Sequence, residues 1–175
     1  MKCETCKRDG EVFVEYTQIS FCKTCYELFL FKRLKKWFRS NKVIDKSKIH
    51  VLLDDDSVGF LFLKKFFEKF FSYPGLKWVV RKRITSRMKN KVVIIPTSLT
   101  QETDAFIYAV FNDLNYVFGK NVFMPLTCFL ETDLSKWKRK KRTNPVFEDV
   151  HFFVEEIVKR RPMARFSILK HLQKF

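Results

Sequence analysis

A chain of 175 residues has length for one substantial core and too little for several. Its 35 Lys and Arg stand against 19 Asp and Glu, and the resulting net charge of +16 calls for an anionic partner, nucleic acid first and an anionic membrane surface second. No run approaches 18 uninterrupted apolar residues, which excludes a transmembrane helix, and Met1-Lys2-Cys3 opens no hydrophobic signal region. The expectation is a cytosolic protein with no membrane partner.

Cys3, Cys6, Cys22 and Cys25 form C-x2-C-x15-C-x2-C, a spacing that lets two thiol pairs converge on one tetrahedral Zn²⁺. Thr5 to Gly10 reads as a knuckle turn, Glu11 to Tyr16 alternates like a strand, and Ile19-Ser20-Phe21 returns to the second knuckle. Two disulfides, or unrelated buried thiols, would use the same residues; a cytosolic setting favours zinc. Four protein ligands leave no open position for water, so the site is structural. A zinc-binding module over residues 1–26 is expected, followed by one domain over 27–175.

Thr24 and Glu27 have capping-box spacing and launch Tyr26, Leu30, Leu34, Trp37 and Phe38 at helical intervals. The other face carries Lys32, Arg33, Lys35, Lys36, Arg39 and Lys42, with no acidic residue between Leu28 and Ile44. It is either a solvated helix face or an RNA contact. Ile49 to Leu53 is a continuous apolar run, as expected of a buried parallel strand. It enters Asp54-Asp55-Asp56-Ser57 and then a helix with Phe60, Leu63, Phe66, Phe67, Phe70 and Phe71, and Ser72 to Gly75 is a turn. Strand, loop and helix in this order open a nucleotide-binding α/β fold.

Leu76, Val80, Ile84 and Met88 recur every four residues and predict a further helix, with Lys77, Arg81, Lys82, Arg83, Arg87 and Lys89 on its other faces. Val92 to Ile95 reads as a second buried strand closed by Pro96. Thr100 is placed to cap a helix running through Ala105, Ala109, Val110 and Leu114, and Val122-Phe123-Met124 is a third strand. Lys136 to Arg142, with Lys138, Arg139 and Lys140 beside Trp137, is the densest basic run. It suits RNA contact with base stacking, a nuclear-import signal or a tether. Phe153, Val154, Ile157, Phe166, Leu169 and Leu172 predict two last helices around Pro162. The alternation gives an α/β fold, a small parallel sheet with helices on its faces.

This order of elements resembles the cytoplasmic tRNA 2-thiolation protein 2 family. The similar stretches are Cys3-x-x-Cys6 through Phe21-Cys22-x-x-Cys25, then Phe31-Lys32-Arg33-Leu34, Asn41-Lys42 and Val51-Leu52-Leu53. Lys91 to Ile95 with Thr97-Ser98-Leu99-Thr100 looks like a second family stretch, and Phe153-Val154 through Pro162 to Lys170 and Leu172 a third. The resemblance implies a Rossmann-like ATP-pyrophosphatase domain. It also implies a non-catalytic subunit for 2-thiolation of wobble uridine in tRNAs for Lys, Glu and Gln. Such a subunit binds tRNA and pairs with a catalytic thiolase subunit supplied with sulfur by a thiocarboxylated ubiquitin-like carrier.

In that family's fold a small, glycine-rich loop cradles phosphate. The corresponding loop here is Asp54, Asp55, Asp56, Ser57, Val58 and Gly59; its three carboxylates repel a triphosphate unless Mg²⁺ intervenes, so the site reads as degenerate and ATP is not expected. Outside the first four cysteines only Cys128 remains, flanked by Leu126 and Phe129 like a buried filler, and no catalytic residue is indicated. The competing reading is a zinc-ribbon RNA-binding protein unrelated to thiolation.

Overall fold

The structure is a computed structural model that describes residues 1–72, 74–85, 88, 90–112, 114, 121–138, 148–161 and 163–172. Strands β1 (Val12–Val14) and β2 (Ile19–Phe21) form an antiparallel hairpin and lead into helix α1 (Lys23–Ser40). Strand β3 (Ile49–Leu53) and helix α2 (Val58–Phe70) follow. Then come β4 (Lys77–Arg81), β5 (Val92–Ile94), α3 (Leu99–Phe111) and β6 (Val122–Phe123). A 3-10 turn (Pro125–Cys128) precedes α4 (Glu131–Trp137), α5 (Glu148–Arg160) and α6 (Ala164–Leu172).

The main sheet is parallel throughout, in the order β4-β3-β5-β6. Its α/β class, with flanking helices, is the one expected, and the last two helices lie on either side of Pro162, itself outside the described residues. Alternate strand residues face opposite ways. Leu52, Trp78, Val80, Val92 and Ile94 join the large core beneath α1 and α2, whereas Val51, Val79, Val93 and Val122 form a smaller cluster with Met88 on the other face.

One expected helix is a strand. Leu76, Val80, Ile84 and Met88 are spaced by four, but four is also twice the strand period, so the spacing does not separate the two. Trp78-Val79-Val80 are aromatic and β-branched residues that fit a pleat, and they pair with β3 from Ile49↔Lys77 to Leu53↔Arg81. Ile84 is left 53% exposed beyond the strand, and Arg87 and Lys89 lie outside the described residues.

Two helix starts also differ from expectation. Cys22 is the N-cap of α1, in extended backbone, with Tyr26 N–H donating to its carbonyl at 2.9 Å. The second knuckle fixes that geometry one residue before Lys23, so Thr24 falls inside the first turn and Glu27 points elsewhere. In α3 the cap is Ser98, which exchanges bonds with Gln101 in a capping box, and Thr100 is buried within the first turn. Ser57 caps α2, accepting from Phe60 N–H at 3.0 Å.

From β3 the chain crosses by α2 to β4 on one side, and from β5 it crosses by α3 to β6 on the other. The crossovers part between β3 and β5, where open α/β sheets place their ligand crevice, outside the carboxyl ends of the strands. The loops Asp54–Ser57 and Pro96–Ser98 meet there. A Cβ on Gly59 would lie 2.5 Å from the Pro96 carbonyl oxygen and 2.8 Å from Leu126 Cδ1, so only glycine lets α2 start so close to its neighbour.

Candidate metal centre and basic surface

The first knuckle is closed by backbone. Cys3 N–H donates to Arg8 O at 2.6 Å, Lys7 N–H donates to Cys3 O at 2.9 Å, and Lys7 takes a left-handed conformation to turn the chain. The hairpin β1–β2 carries the chain to Cys22, and the first turn of α1 supplies Cys25. All four sulfurs lie within 4.8 Å of one another, with Cys6 and Cys22 at 3.6 Å. A disulfide requires about 2.05 Å, so these are free thiols, as is Cys128.

That spacing tests which metal the residues fit. A single tetrahedral ion with metal–sulfur bonds of about 2.3 Å holds its sulfurs about 3.8 Å apart. A four-iron cube would spread its four thiolates to roughly 6 Å. The sulfurs of Cys3, Cys6, Cys22 and Cys25 are gathered at the first spacing.

Their acidities also fit a cation's place. Burial raises Cys3, but backbone N–H groups of Cys22, Cys6 and Thr5 outweigh it and bring the thiol down to about 6. The Arg8 backbone likewise lowers Cys6. Burial and the three neighbouring sulfurs push Cys25 up to about 12. The thiolate is favoured at Cys3 and Cys6 and opposed at Cys25, an opposition that a divalent ion relieves. Among the described residues no other group of three or more Cys, His, Asp or Glu side chains converges in this way.

In the loop at the crevice, the Asp54 carboxylate accepts from Asp56 N–H at 3.1 Å and the Asp55 carboxylate from Ser57 N–H at 3.0 Å. Asp56 is in the left-handed region, φ 58°. In a phosphate loop such amides face an anion; here the chain's own carboxylates and the Ser57 hydroxyl occupy those of Asp56, Ser57 and Phe60. Cys128 donates to Pro125 O at 3.1 Å, and burial pushes its thiol up to about 12, away from the reactive thiolate form.

The basic residues do not form one surface. Lys32, Lys36, Arg39 and Lys42 are exposed and Lys35 is half-buried along α1 and its exit. Arg33 is turned inward instead: it donates to the Tyr16 hydroxyl at 2.7 Å and lies over the rings of Tyr16, Phe129 and Phe166. Arg81, Lys82 and Arg83 are exposed at the carboxyl end of β4, beside the aspartate loop, where Asp54 N–H donates to Arg81 O. Lys42 precedes the start of β3 and Arg81 pairs with its last residue, so these cations lie at opposite ends of the sheet. Lys136 is engaged on the hairpin, donating to Phe13 O at 2.9 Å, and Lys138 is exposed. Arg139 and Lys140, with the rest of that basic run, lie outside the described residues.

Sequence reasoning missed a buried ionic cluster. Arg165, 1% exposed, donates to Asp104 at 2.6 Å and to Glu155 at 2.9 Å, and His151 Nδ1 lies 2.9 Å from the other Asp104 oxygen. It ties α3, α5 and α6 together. Helical periodicity registers only apolar residues, so an arginine on an inward face leaves no signal in it.

No family model matches the chain, and no curated protein matches it. Among solved structures it is similar to the U34-tRNA thiolase NcsA from Methanococcus maripaludis with its [4Fe-4S] cluster: TM-score 0.69, 13% identity, 99% of this chain and 86% of that one. That likeness corrects one expectation. The family resemblance, the crowded loop and the lack of a reactive thiol imply a non-catalytic subunit, yet the fold found over 99% of this chain is carried by a thiolase. The same neighbour holds an iron–sulfur cluster, so the four converging cysteines could hold a metal whose identity is not fixed as zinc. The chain has the fold of a U34-tRNA thiolase, with four converging cysteines that could hold a metal ion in its amino-terminal residues.

Proposed function

We propose that this chain serves the 2-thiolation of wobble uridine in cytoplasmic tRNAs for Lys, Glu and Gln, on the way to 5-methoxycarbonylmethyl-2-thiouridine. It grips tRNA and pairs with a second thiolase subunit supplied with sulfur by a ubiquitin-like carrier. The observation that carries this reading is the fold, matched over 99% of the chain by a U34-tRNA thiolase. The coupling of cysteine module, basic helix and first strand, which resembles the tRNA 2-thiolation protein 2 family, supports the finer part.

Residues 1–26 are the metal-binding module and 27–175 the ATP-pyrophosphatase-like body. The metal is Zn²⁺, because sulfurs within 4.8 Å of one another suit one ion better than a four-iron cube. It fixes the knuckles and the start of α1, and so orients the basic helix that follows. Lys32, Lys35, Lys36, Arg39 and Lys42 contact tRNA phosphates, with Arg81, Lys82, Arg83 and Lys138 as further contacts. Each neutralised phosphate steepens the salt dependence of binding by roughly 0.7 to 0.9 in log–log slope.

The test is tRNA thiolation in cells depleted of the protein, read on a mercury-containing acrylamide gel that retards thiolated tRNA. The retarded band is expected to disappear, and to return with the wild type but not with Cys22→Ser. A band that persists at full intensity overturns the reading, and RNA recovered with the protein would then favour the thiolation-independent alternative.

A further inference from the structure

Lys35 and Arg39 of α1 and Lys42 just beyond its end line a cleft. Between the last turns of α1, the link to β3 and the end of α2 lies a cavity of about 520 Å³. Its rim is Lys35, Arg39 and Lys42; its floor and walls are Phe38, Ile44, Phe70 and Phe71. No carboxylate lines it, and among the described residues none pairs with any of the three cations.

The arrangement of the walls is specific. Lys35 Nζ sits 3.6 Å from the centroid of the Phe70 ring, so the ring holds the ammonium at the mouth of the cleft. Phe70 and Phe71 are half-buried, with Phe31 and Phe66 packed against the first and Phe38 and Phe67 against the second. Lys42 stands at φ 47°, where glycine ends a helix at less cost, and it contributes a cation to the rim. Cations complement a helix carboxyl end wherever one is exposed. That accounts for Arg39 and Lys42, but not for a ring-walled cleft opening between them.

We propose that this cleft takes one unpaired nucleotide of an RNA strand, with its base against Phe70 and Phe71 and its phosphate among Lys35, Arg39 and Lys42. The inference rests on the RNA-binding reading above and deepens it, from phosphate contact along α1 to capture of a base. The volume suits a nucleotide. An aromatic wall beneath a cationic rim is the pairing by which single strands are held without sequence preference. A base inside a duplex cannot reach the wall, so the site selects single-stranded segments or loops.

The experiment titrates the full chain with a fluorescent oligouridylate of about twelve nucleotides and with an abasic strand of the same length. The wild type is expected to bind the base-bearing strand about tenfold more tightly. Phe70→Leu, which keeps an apolar side chain, should close that gap without changing the salt slope. Replacing Lys35, Arg39 and Lys42 by Gln should weaken both strands and make the slope shallower by about 2.

Equal wild-type affinity for the two strands overturns the base pocket and leaves the RNA reading intact; that comparison requires no variant to fold. Affinity unmoved by Phe70→Leu and by the triple change does the same. No binding of either strand overturns both. Displacement of the oligonucleotide by phosphatidylserine vesicles, with the same variants losing vesicle binding, assigns the cleft to a lipid surface and overturns the proposal.

Discussion

The amino-terminal module and the paired helices α1 and α2 are built in opposite ways. In the module the buried apolar side chains are few, mainly Val12, Val14 and Phe21, and close backbone bonds bring four sulfurs together. Between the helices, rings pack on rings, Phe31 on Phe62 at 5.2 Å and Phe38 on Phe66 at 5.6 Å, and Phe67 of α2 meets Trp78 of β4 at 5.6 Å. Converging thiols that could hold an ion stand where apolar area is scarce, and burial of large rings serves where it is plentiful. The two regions still share one continuous core cluster, and their seam is pinned by Tyr26 donating to Asp133 O at 2.9 Å and by Lys136 on Phe13 O.

The largest effect expected from this contrast follows removal of the metal. Binding of a structural ion supplies on the order of 10 kcal/mol of folding free energy to modules of this kind. Chelation, or Cys22→Ser, should therefore unfold residues 1–22 and expose them to limited proteolysis, while the Phe-packed helices stay protected. Metal analysis of the wild type should give about one ion per chain; a broad visible absorption bleached by oxidation would identify iron–sulfur instead. A single cooperative loss of the whole chain on chelation would erase the distinction between the two regions.

Next in size is the core. Phe66 is fully buried and meets Phe31, Phe38, Phe67, Phe70 and Phe71. Phe66→Ala leaves a ring-sized void and should cost about 4 kcal/mol in urea unfolding, with metal content unchanged. Loss of metal in this variant would mean that the module depends on the body for its form, and the contrast would hold in one direction only.

What could be read beforehand divides along the same line. The cysteine spacing announced the metal site because ligand geometry is local: two knuckles and a hairpin decide it. The continuous runs Ile49–Leu53 and Val92–Ile95 announced buried parallel strands for the same reason. The strand Lys77–Arg81 was illegible because a period of four suits both a helix and a pleat, and only pairing with β3 resolves it. Arg33 was placed on a solvated or RNA-facing surface, yet aromatic rings surround it, and nothing in the periodicity singled out Arg165, which carboxylates hold. Likewise the Asp54–Asp56 loop could be recognised as crowded with charge, but not as one whose carboxylates hold its own amides.

The smallest expected effect lies on the seam between the regions. Glu27 leaves α1 near the module, and one of its oxygens accepts from Lys65 Nζ at 2.5 Å and from Trp137 Nε1 at 2.8 Å. Burial would raise its pKa, but the ammonium and the indole N–H outweigh that, so the carboxyl stays below its ordinary value of 4.5. A carboxyl depressed in the folded state contributes stability that is fully present above its unfolded value and is lost as pH falls through the folded one. Glu27→Gln should thus cost about 1 kcal/mol near neutral pH, and the difference from wild type should shrink below about pH 4. A difference that persists unchanged into acid would assign the contribution to the packing of Trp137 on Phe62 rather than to the charge; the seam would then belong with the ring-packed body.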